Sequence, residues 1–255
     1  MRKYVIGLDF GTLSGRAVLT AVDNGETIAS CVMNYPHGIV QNVLPDGVTA
    51  LEREFNLQVP QDYIDVITHI VPDVMDKSGV NPEDVIAIAI DCTASTLIPI
   101  DKDGRPLCEQ ERFANRPHAY IKLWKHHAAQ PEADEINEKL GTFENDVQAF
   151  YGERISSEIV LPKVLEILRD DPEIYEAAAA ISEIPDWLNF LLTGERRQSI
   201  NTACYKTMYF NEKGYPSKEF LKKIDPGLEN FVEEKLSGSV CKIDEPFGRD
   251  RKSVV

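Results

Sequence analysis

The chain has 255 residues, of which 43% are hydrophobic, enough for one large domain or for one domain and part of a second. Its formal net charge is -15 at pH 7, and it lacks the clustered Lys and Arg side chains that bind phosphate backbones. The composition therefore argues against nucleic acid as a partner.

The start of the chain and its cysteines indicate the compartment. Residues 1–12 hold a short apolar run that ends at Asp9, without the length or the cleavage site of a signal peptide. No stretch approaches the length of a membrane span. The 5 cysteines are isolated, and no Cys-x-x-Cys pair indicates a disulfide framework or a zinc site. We expect a cytoplasmic protein without a membrane partner.

Hydrophobic alternation predicts strands at residues 3–10, 15–22 and 26–35, and a turn between the last two favours antiparallel pairing. Residues 60–78 then carry apolar side chains at helical spacing. Residues 85–91 are continuously apolar, which predicts a central strand buried on both faces.

Beyond this strand, residues 96–100 are expected to form its partner, and the chain to about residue 193 is expected to be mainly helical. The strongest helical segments are 158–169, 172–180 and 185–192, and Gly194 suits a helix end that needs positive φ. This combination of strands and helices predicts an α/β fold.

The first candidate site is Asp9-Phe10-Gly11-Thr12, where the first strand turns into the second. A bend that contains Gly can present backbone N–H groups to phosphate oxygens, and Asp9 could hold Mg²⁺ through water. The alternative is a hairpin turn with a solvated Asp and Thr. This tetrapeptide alone fits both interpretations.

A second carboxylate, Asp91, ends the apolar strand and is followed by the small residues 93–96. Ligands of α/β sheets gather at the carboxyl ends of strands, where small hydroxylated side chains admit a polyol closely. The competing interpretation is an Asx-type turn that joins two strands.

Trp124 and Lys125 precede two histidines, His126 and His127. An aromatic ring can stack on the C–H face of a sugar while neighbouring side chains donate hydrogen bonds to its hydroxyls. Trp124 could equally belong to the core. Because the histidines are adjacent, they point apart, and we do not expect them to bind one metal ion.

Glu158 and Lys206 are isolated charged candidates. Glu158 follows two serines at the start of a predicted helix, where capping is the simpler role. Lys206 interrupts an alternating segment, residues 202–209, and is either a surface ammonium or a hydroxyl donor in a cleft. Local sequence does not separate these roles.

Three segments, at residues 161–166, 171–173 and 186–194, resemble in order and spacing the signature helices of the FGGY carbohydrate kinases. That family has the actin-like ATPase architecture, with two ribonuclease-H-like domains around a cleft. The resemblance runs from about residue 3 to residue 247. It implies an α/β, ribonuclease-H-like domain with a mixed sheet, its first three strands antiparallel, flanked by helices.

The resemblance also implies ligands and site residues. Segments 91–96, 123–128 and 204–209 look like the family branch that acts on L-ribulose, rather than those for xylulose, glycerol or gluconate. ATP and Mg²⁺ are the implied cofactors. Asp9, Gly11 and Thr12 would face the phosphates, with Asp9 on Mg²⁺ indirectly. The implied sugar-binding residues are Asp91, Ala94, Thr96, Trp124, Lys125, Glu158 and Lys206.

The chain departs from the family pattern at the catalytic base. In these kinases the aspartate that deprotonates the sugar hydroxyl lies early in the second domain, behind a Gly-Gly pair, and this sequence has no Gly-Gly. We therefore expect residues 1–247 to be the sugar-binding domain and residues 248–255 a truncated tail. Such a chain would hold no catalytic residue and be inactive alone.

Other interpretations stay open from the sequence. The chain could be a stand-alone sugar-binding or interaction module, or part of a family member that phosphorylates another pentulose or polyol. A different actin-like ATPase is not expected to carry the signature segments. If an interdomain face is exposed, the chain is expected to form homo-oligomers through it.

Overall fold

The computed structural model describes residues 1–140, 154–210, 213–236 and 238–249. They form two compact units: Met1–Ile39 with Gln58–Thr93, and Val40–Leu57 with the described residues from Ala94 onward. Of the predicted tail, residues 250–255 lie outside the described part. The predicted domain boundary at residue 247 stays a prediction.

The helices and strands have the following bounds. The strands are β1 (Tyr4–Phe10), β2 (Ser14–Ala21), β3 (Thr27–Asn34), β4 (Leu57–Gln58), β5 (Val85–Cys92), β6 (Leu97–Ile100), β7 (Ile121–Lys122), β8 (Ala180–Glu183), β9 (Arg197–Ser199) and β10 (Ser239–Cys241). The α-helices are α1 (Pro60–Ser78), α2 (Gln130–Leu140), α3 (Val160–Asp170), α4 (Pro172–Ala177), α5 (Ile184–Thr193), α6 (Ile200–Tyr205), α7 (Lys218–Ile224) and α8 (Phe231–Lys235).

The first unit is a mixed sheet covered by α1. The strand order is β3-β2-β1-β5, in which β1, β2 and β3 pair antiparallel and β5 runs parallel to β1. Pro60 occupies the first turn of α1, and Gly79 ends the helix in the left-handed conformation at φ 63°. The buried rings of Phe10, Tyr35 and Tyr63 stack at centroid distances of 5.5 and 5.1 Å. Apolar side chains on one helix stripe and one sheet face therefore build this core.

The second unit holds a sheet of order β4-β7-β6-β8 and a parallel pair, β9 and β10. β6 pairs antiparallel with β8 from Leu97↔Glu183 to Ile100↔Ala180, and with β7 at Leu97↔Lys122. Both β6 and β8 are buried at every position, as is most of α3. Polar side chains on these elements are therefore buried in the core of the unit.

Three sequence predictions about β5, β6 and β8 are wrong. In the described residues β5 is an edge strand, with Ile86 58% and Ile88 43% exposed, because an apolar run reports strand propensity and not position in a sheet. β6 joins the other sheet instead of pairing with β5. Residues 180–183, expected to end a helix or follow one, form β8, because pairing with β6 overrides local helix propensity.

Within the described ranges, no helix is long and apolar enough to cross a membrane.

Gly15 in β2 lies directly against α1. A Cβ at this position would lie 2.3 Å from Cγ1 of Val66, whose branched side chain is stiff in a helix. We expect Gly15→Ala to lower the free energy of unfolding by about 1–3 kcal/mol through overpacking. Gly7→Ala in β1 is the matched control, since nothing lies within 4 Å of its added Cβ. Urea unfolding measures both, and equal stability of the two variants would contradict the account.

Candidate functional site

The turn after β1 is a closed hairpin loop. The Gly11 N–H donates to the Ser14 carbonyl at 2.9 Å, and the Gln58 side-chain amide donates to the Thr12 carbonyl at 2.9 Å. Asp9 accepts a hydrogen bond from Arg16 at 2.9 Å and keeps 47% of its side chain exposed. The Gly11 N–H is therefore engaged within the turn, while the Asp9 carboxylate is accessible to a ligand.

Asp91 lies beside Asp9 in the first unit. The two residues are register partners in the parallel strands β1 and β5, so their side chains share a face at the carboxyl ends of adjacent strands. A sugar-binding role for Asp91 stays a prediction, and its position beside Asp9 also fits a role shared with that carboxylate. Two carboxylates fit a hydrated Mg²⁺, which takes one or two protein carboxylates and binds mainly water and phosphate. The described residues contain no group of three or more His, Cys, Asp or Glu that could hold a metal ion.

Ser95 is the point at which the segments of the second unit meet. It has a left-handed backbone, at φ 60°, which is uncommon outside Gly. Its N–H donates to the Glu183 carboxylate at 2.8 Å, its carbonyl accepts from Lys163 at 2.7 Å, and its hydroxyl donates to the Glu158 carbonyl. The residue between Ala94 and Thr96 is therefore fixed through its N–H, its carbonyl and its hydroxyl.

Lys163 is fully buried on α3 and donates to backbone carbonyls. Its Nζ lies 2.7 Å from the Ser95 oxygen, 3.0 Å from the Leu123 oxygen and 3.3 Å from the Trp124 oxygen. Three acceptors match the three N–H donors of an ammonium. Burial lowers the pKa of Lys163 to about 7, with the negative charge of Glu183 opposing the shift.

Glu183, the last residue of β8, is a buried carboxyl that contacts the same residue, Ser95, as Lys163 does. In addition to the Ser95 N–H, it accepts a hydrogen bond from the Thr207 hydroxyl at 3.1 Å. Burial raises the pKa of Glu183 to about 7, and these two hydrogen bonds and the Lys163 charge oppose the shift. Glu183 thereby links Ser95 to the residue that follows Lys206.

The structure brings Lys206 and Glu158 together. The Lys206 Nζ lies 3.6 Å from a Glu158 carboxylate oxygen, with 17% and 37% of the two side chains exposed. The alternating segment around Lys206 is not a strand, because α6 runs to Tyr205 and ends at Lys206. Glu158 does not cap α3 either, since Ile159 is the N-cap and makes no side-chain capping bond. Both charges are therefore accessible to a polar ligand.

Trp124 and Lys125 lie half-buried in the loop after β7, and the two following histidines point to different partners. His126 is buried, accepts from the Asn56 N–H at 3.3 Å through Nδ1, and donates to Glu166 through Nε2. Burial and then Lys122 lower the pKa of His126 to about 4, so its ring is neutral. His127 contacts the Ser157 hydroxyl at 3.0 Å. The two rings therefore face different partners.

Two further predicted positions differ in accessibility. Ala94 is half-buried, whereas Thr96 is fully buried and forms part of the core next to β6. A sugar-binding role for Thr96 stays a prediction. Sequence reasoning missed Lys163 and Glu183 as parts of the site. The available signal was a charged residue within each of two strongly apolar runs.

Comparison with known proteins identifies the class of this domain. Residues 4–233 match the N-terminal domain of the FGGY family of carbohydrate kinases. The chain belongs to this family, and the expectation drawn from the signature segments is confirmed.

Ribulokinases are among the curated relatives. Those of Anoxybacillus flavithermus and Geobacillus thermodenitrificans are 47% and 46% identical to the chain over 247 residues. Each match covers 97% of this chain and 44% of the relative, so the chain spans less than half of their length.

A solved structure supports the fold. The gluconate kinase from Lactobacillus acidophilus matches with a TM-score of 0.73 at 18% identity, over 100% of this chain and 45% of that one. At this identity the match shows an α/β carbohydrate-kinase fold and carries no information about the substrate.

The protonation of Glu183 predicts a pH dependence. Its folded-state pKa of about 7 lies above the value of about 4.3 in an unfolded chain, so the protonated carboxyl stabilises the fold at low pH. This contribution is lost as the pH rises through about 7. A Gln side chain does not titrate, so the Glu183→Gln variant does not lose this contribution. The unfolding free energy of Glu183→Gln minus that of the wild type should therefore increase by roughly 3 kcal/mol between about pH 4 and pH 8.

Gln fits the same hydrogen bonds, because its amide can donate to Thr207 while the Thr207 hydroxyl turns to the Thr202 carbonyl at 3.1 Å. Urea unfolding across this pH range is the measurement. Glu138→Gln, at an exposed position, is the control and should follow the wild type. Parallel pH profiles for Glu183→Gln and the wild type would show that the folded state does not raise this pKa.

Proposed function

We propose that the chain is the sugar-binding part of an ATP-dependent ribulokinase that phosphorylates the terminal hydroxyl of L-ribulose. The observation that carries the proposal is the Lys206–Glu158 pair, an ammonium and a carboxylate 3.6 Å apart with both side chains partly exposed. The ribulokinase relatives at 47% and 46% identity support the choice of sugar.

The side chains predicted to bind the sugar suit a small polyol. An ammonium donates up to three hydrogen bonds and a carboxylate only accepts them, so together they match hydroxyls, which do both. Trp124 offers an aromatic face for the C–H side of the sugar, and Lys125 a further donor. Ala94 adds a small side chain that permits close approach.

The nucleotide side of the proposal concerns the first unit. Asp9 and Asp91 would hold hydrated Mg²⁺, and the turn at Gly11 and Thr12 would face the phosphates of ATP. ATP supplies the phosphoryl group, and Mg²⁺ neutralises the charge that develops during transfer. The proposal includes a ribonuclease-H-like fold of the actin-like type. It also includes a cytoplasmic location and a role in L-arabinose catabolism. Finally, it includes self-association of the chain through an exposed face.

Lys206→Ala tests the sugar contact. We expect the variant to bind L-ribulose at least about tenfold more weakly, the equivalent of one charge-assisted hydrogen bond, with little change in unfolding free energy. Isothermal titration calorimetry of the chain with L-ribulose measures the affinity. Lys102→Ala removes a lysine whose side chain is 82% exposed, and it should bind like the wild type.

The same titrations separate the substrates. Tighter binding of xylulose or glycerol than of L-ribulose would shift the proposal to another member of the family. An unchanged affinity in Lys206→Ala would remove this lysine from the site.

We also expect the 255-residue chain alone to show no measurable phosphoryl transfer to L-ribulose. The loss of a general base costs about two to four orders of magnitude in rate. By the family pattern this base follows a Gly-Gly pair, which the sequence lacks. A coupled assay for ADP release is the measurement, and turnover that scales with the concentration of the purified chain would overturn the expectation.

A further inference from the structure

We propose that Lys163 is a positioning residue for the sugar site. It binds the backbone carbonyls of Ser95, Leu123 and Trp124, which lie in the two segments that carry the predicted sugar contacts Ala94, Trp124 and Lys125. The proposal rests on the proposed function, because it concerns the same site. It adds a buried lysine that touches no ligand and that fixes where Ala94, Trp124 and Lys125 present their side chains.

The first argument is the choice of acceptors. The Nζ of Lys163 contacts the carbonyls of two segments that are distant in sequence, at 2.7, 3.0 and 3.3 Å. One acceptor, Ser95, directly follows Ala94, and another belongs to Trp124 itself. A single ammonium therefore sets the distance between the two segments that carry these sugar contacts.

The second argument is the conformation of Ser95. A left-handed backbone at a residue with a Cβ costs free energy and persists where the surroundings impose it. Here Lys163 holds the carbonyl and Glu183 holds the N–H of the same residue. Because the Glu183 carboxyl also accepts from the Thr207 hydroxyl, the arrangement extends to the side chain that follows Lys206.

If Lys163 had a purely structural role, its replacement would have the same effects as the replacement of another buried lysine of the unit. Lys235 on α8 is such a lysine: it is buried and donates to the carbonyls of Ala178 at 2.8 Å and Glu176 at 3.4 Å. None of its acceptors belongs to a segment with a predicted sugar contact. Lys235→Met is therefore a matched control for Lys163→Met.

The experiment compares Lys163→Met, Lys235→Met and the wild-type chain. Urea unfolding reports stability, and calorimetric titration with L-ribulose reports affinity. We expect both variants to lose stability, and only Lys163→Met to bind L-ribulose more weakly, by at least about tenfold, the scale of one hydrogen bond to a charged group. Equal affinities of the two variants would overturn the proposal.

A second readout does not depend on the sugar. The chain has 2 tryptophans, so Trp187→Phe leaves Trp124 as the sole indole. In this background Lys163→Met should shift the Trp124 emission to longer wavelength and increase its quenching by acrylamide, because the loop loses its anchor. Lys235→Met should leave both unchanged, and an unchanged Trp124 spectrum in Lys163→Met would overturn the proposal.

The two readouts separate failure of the proposal from failure of the proposed function. If the wild type gives no heat with L-ribulose, the proposed function is wrong, and the Trp124 spectra still decide whether Lys163 positions the loop. If Lys163→Met does not fold, as judged by circular dichroism, Lys163→Gln takes its place. Gln keeps two N–H donors without the charge, and the same comparison with Lys235→Met applies.

Discussion

The burial of charge inside the second unit is the constraint on which the rest of its structure depends. An ammonium or a carboxylate without water must find a partner for each hydrogen-bonding position, or destabilise the fold by several kcal/mol. Lys163 meets this requirement with three carbonyls, and Glu183 with an amide and a hydroxyl. Because most of these partners are backbone groups, satisfying the charges also determines the path of the loops that carry the candidate site.

A second set of buried charges, Lys122 and Glu166, is satisfied by side chains instead of backbone groups. Lys122 and Glu166 form an ion pair at 2.9 Å, and neutral His126 donates to the same carboxylate. Burial by itself would raise the pKa of Glu166, and Lys122 and His126 outweigh it and lower the pKa. This cluster joins β7 to α3, so α3 is attached to the sheet by charge at Glu166 and to the loops by charge at Lys163. The candidate site therefore rests on a helix held at two points.

Local patterns predict the parts of the fold that local physics determines. The alternation of β1 to β3 and the apolar stripe of α1 need only neighbouring residues to be recognised, and the helix end at Gly194 needs only a residue that tolerates φ 75°.

The position of a strand within a sheet depends on residues that are distant in sequence. β8 was missed because its strand conformation depends on β6, some eighty residues earlier, and β5 was placed in the interior because apolar content does not report neighbours. Lys206 and Glu158 were recognisable only by resemblance, since their pairing depends on the tertiary fold.

The opposite charges on the two sides of Ser95 have a consequence for how this sequence can diverge. Lys163 and Glu183 stabilise the two ends of one residue's backbone, and each moderates the cost of burying the other. Losing either one removes this moderation and drives the remaining group toward its neutral form. A polar replacement such as Gln at position 183 keeps the hydrogen bonds, whereas an apolar replacement at one position removes them, so apolar residues at positions 163 and 183 should arise together during evolution. A homologue with an apolar residue at one position and the charge kept at the other would need a new partner for that charge, and a glycine in place of Ser95 would be a natural companion because it adopts the left-handed backbone without support.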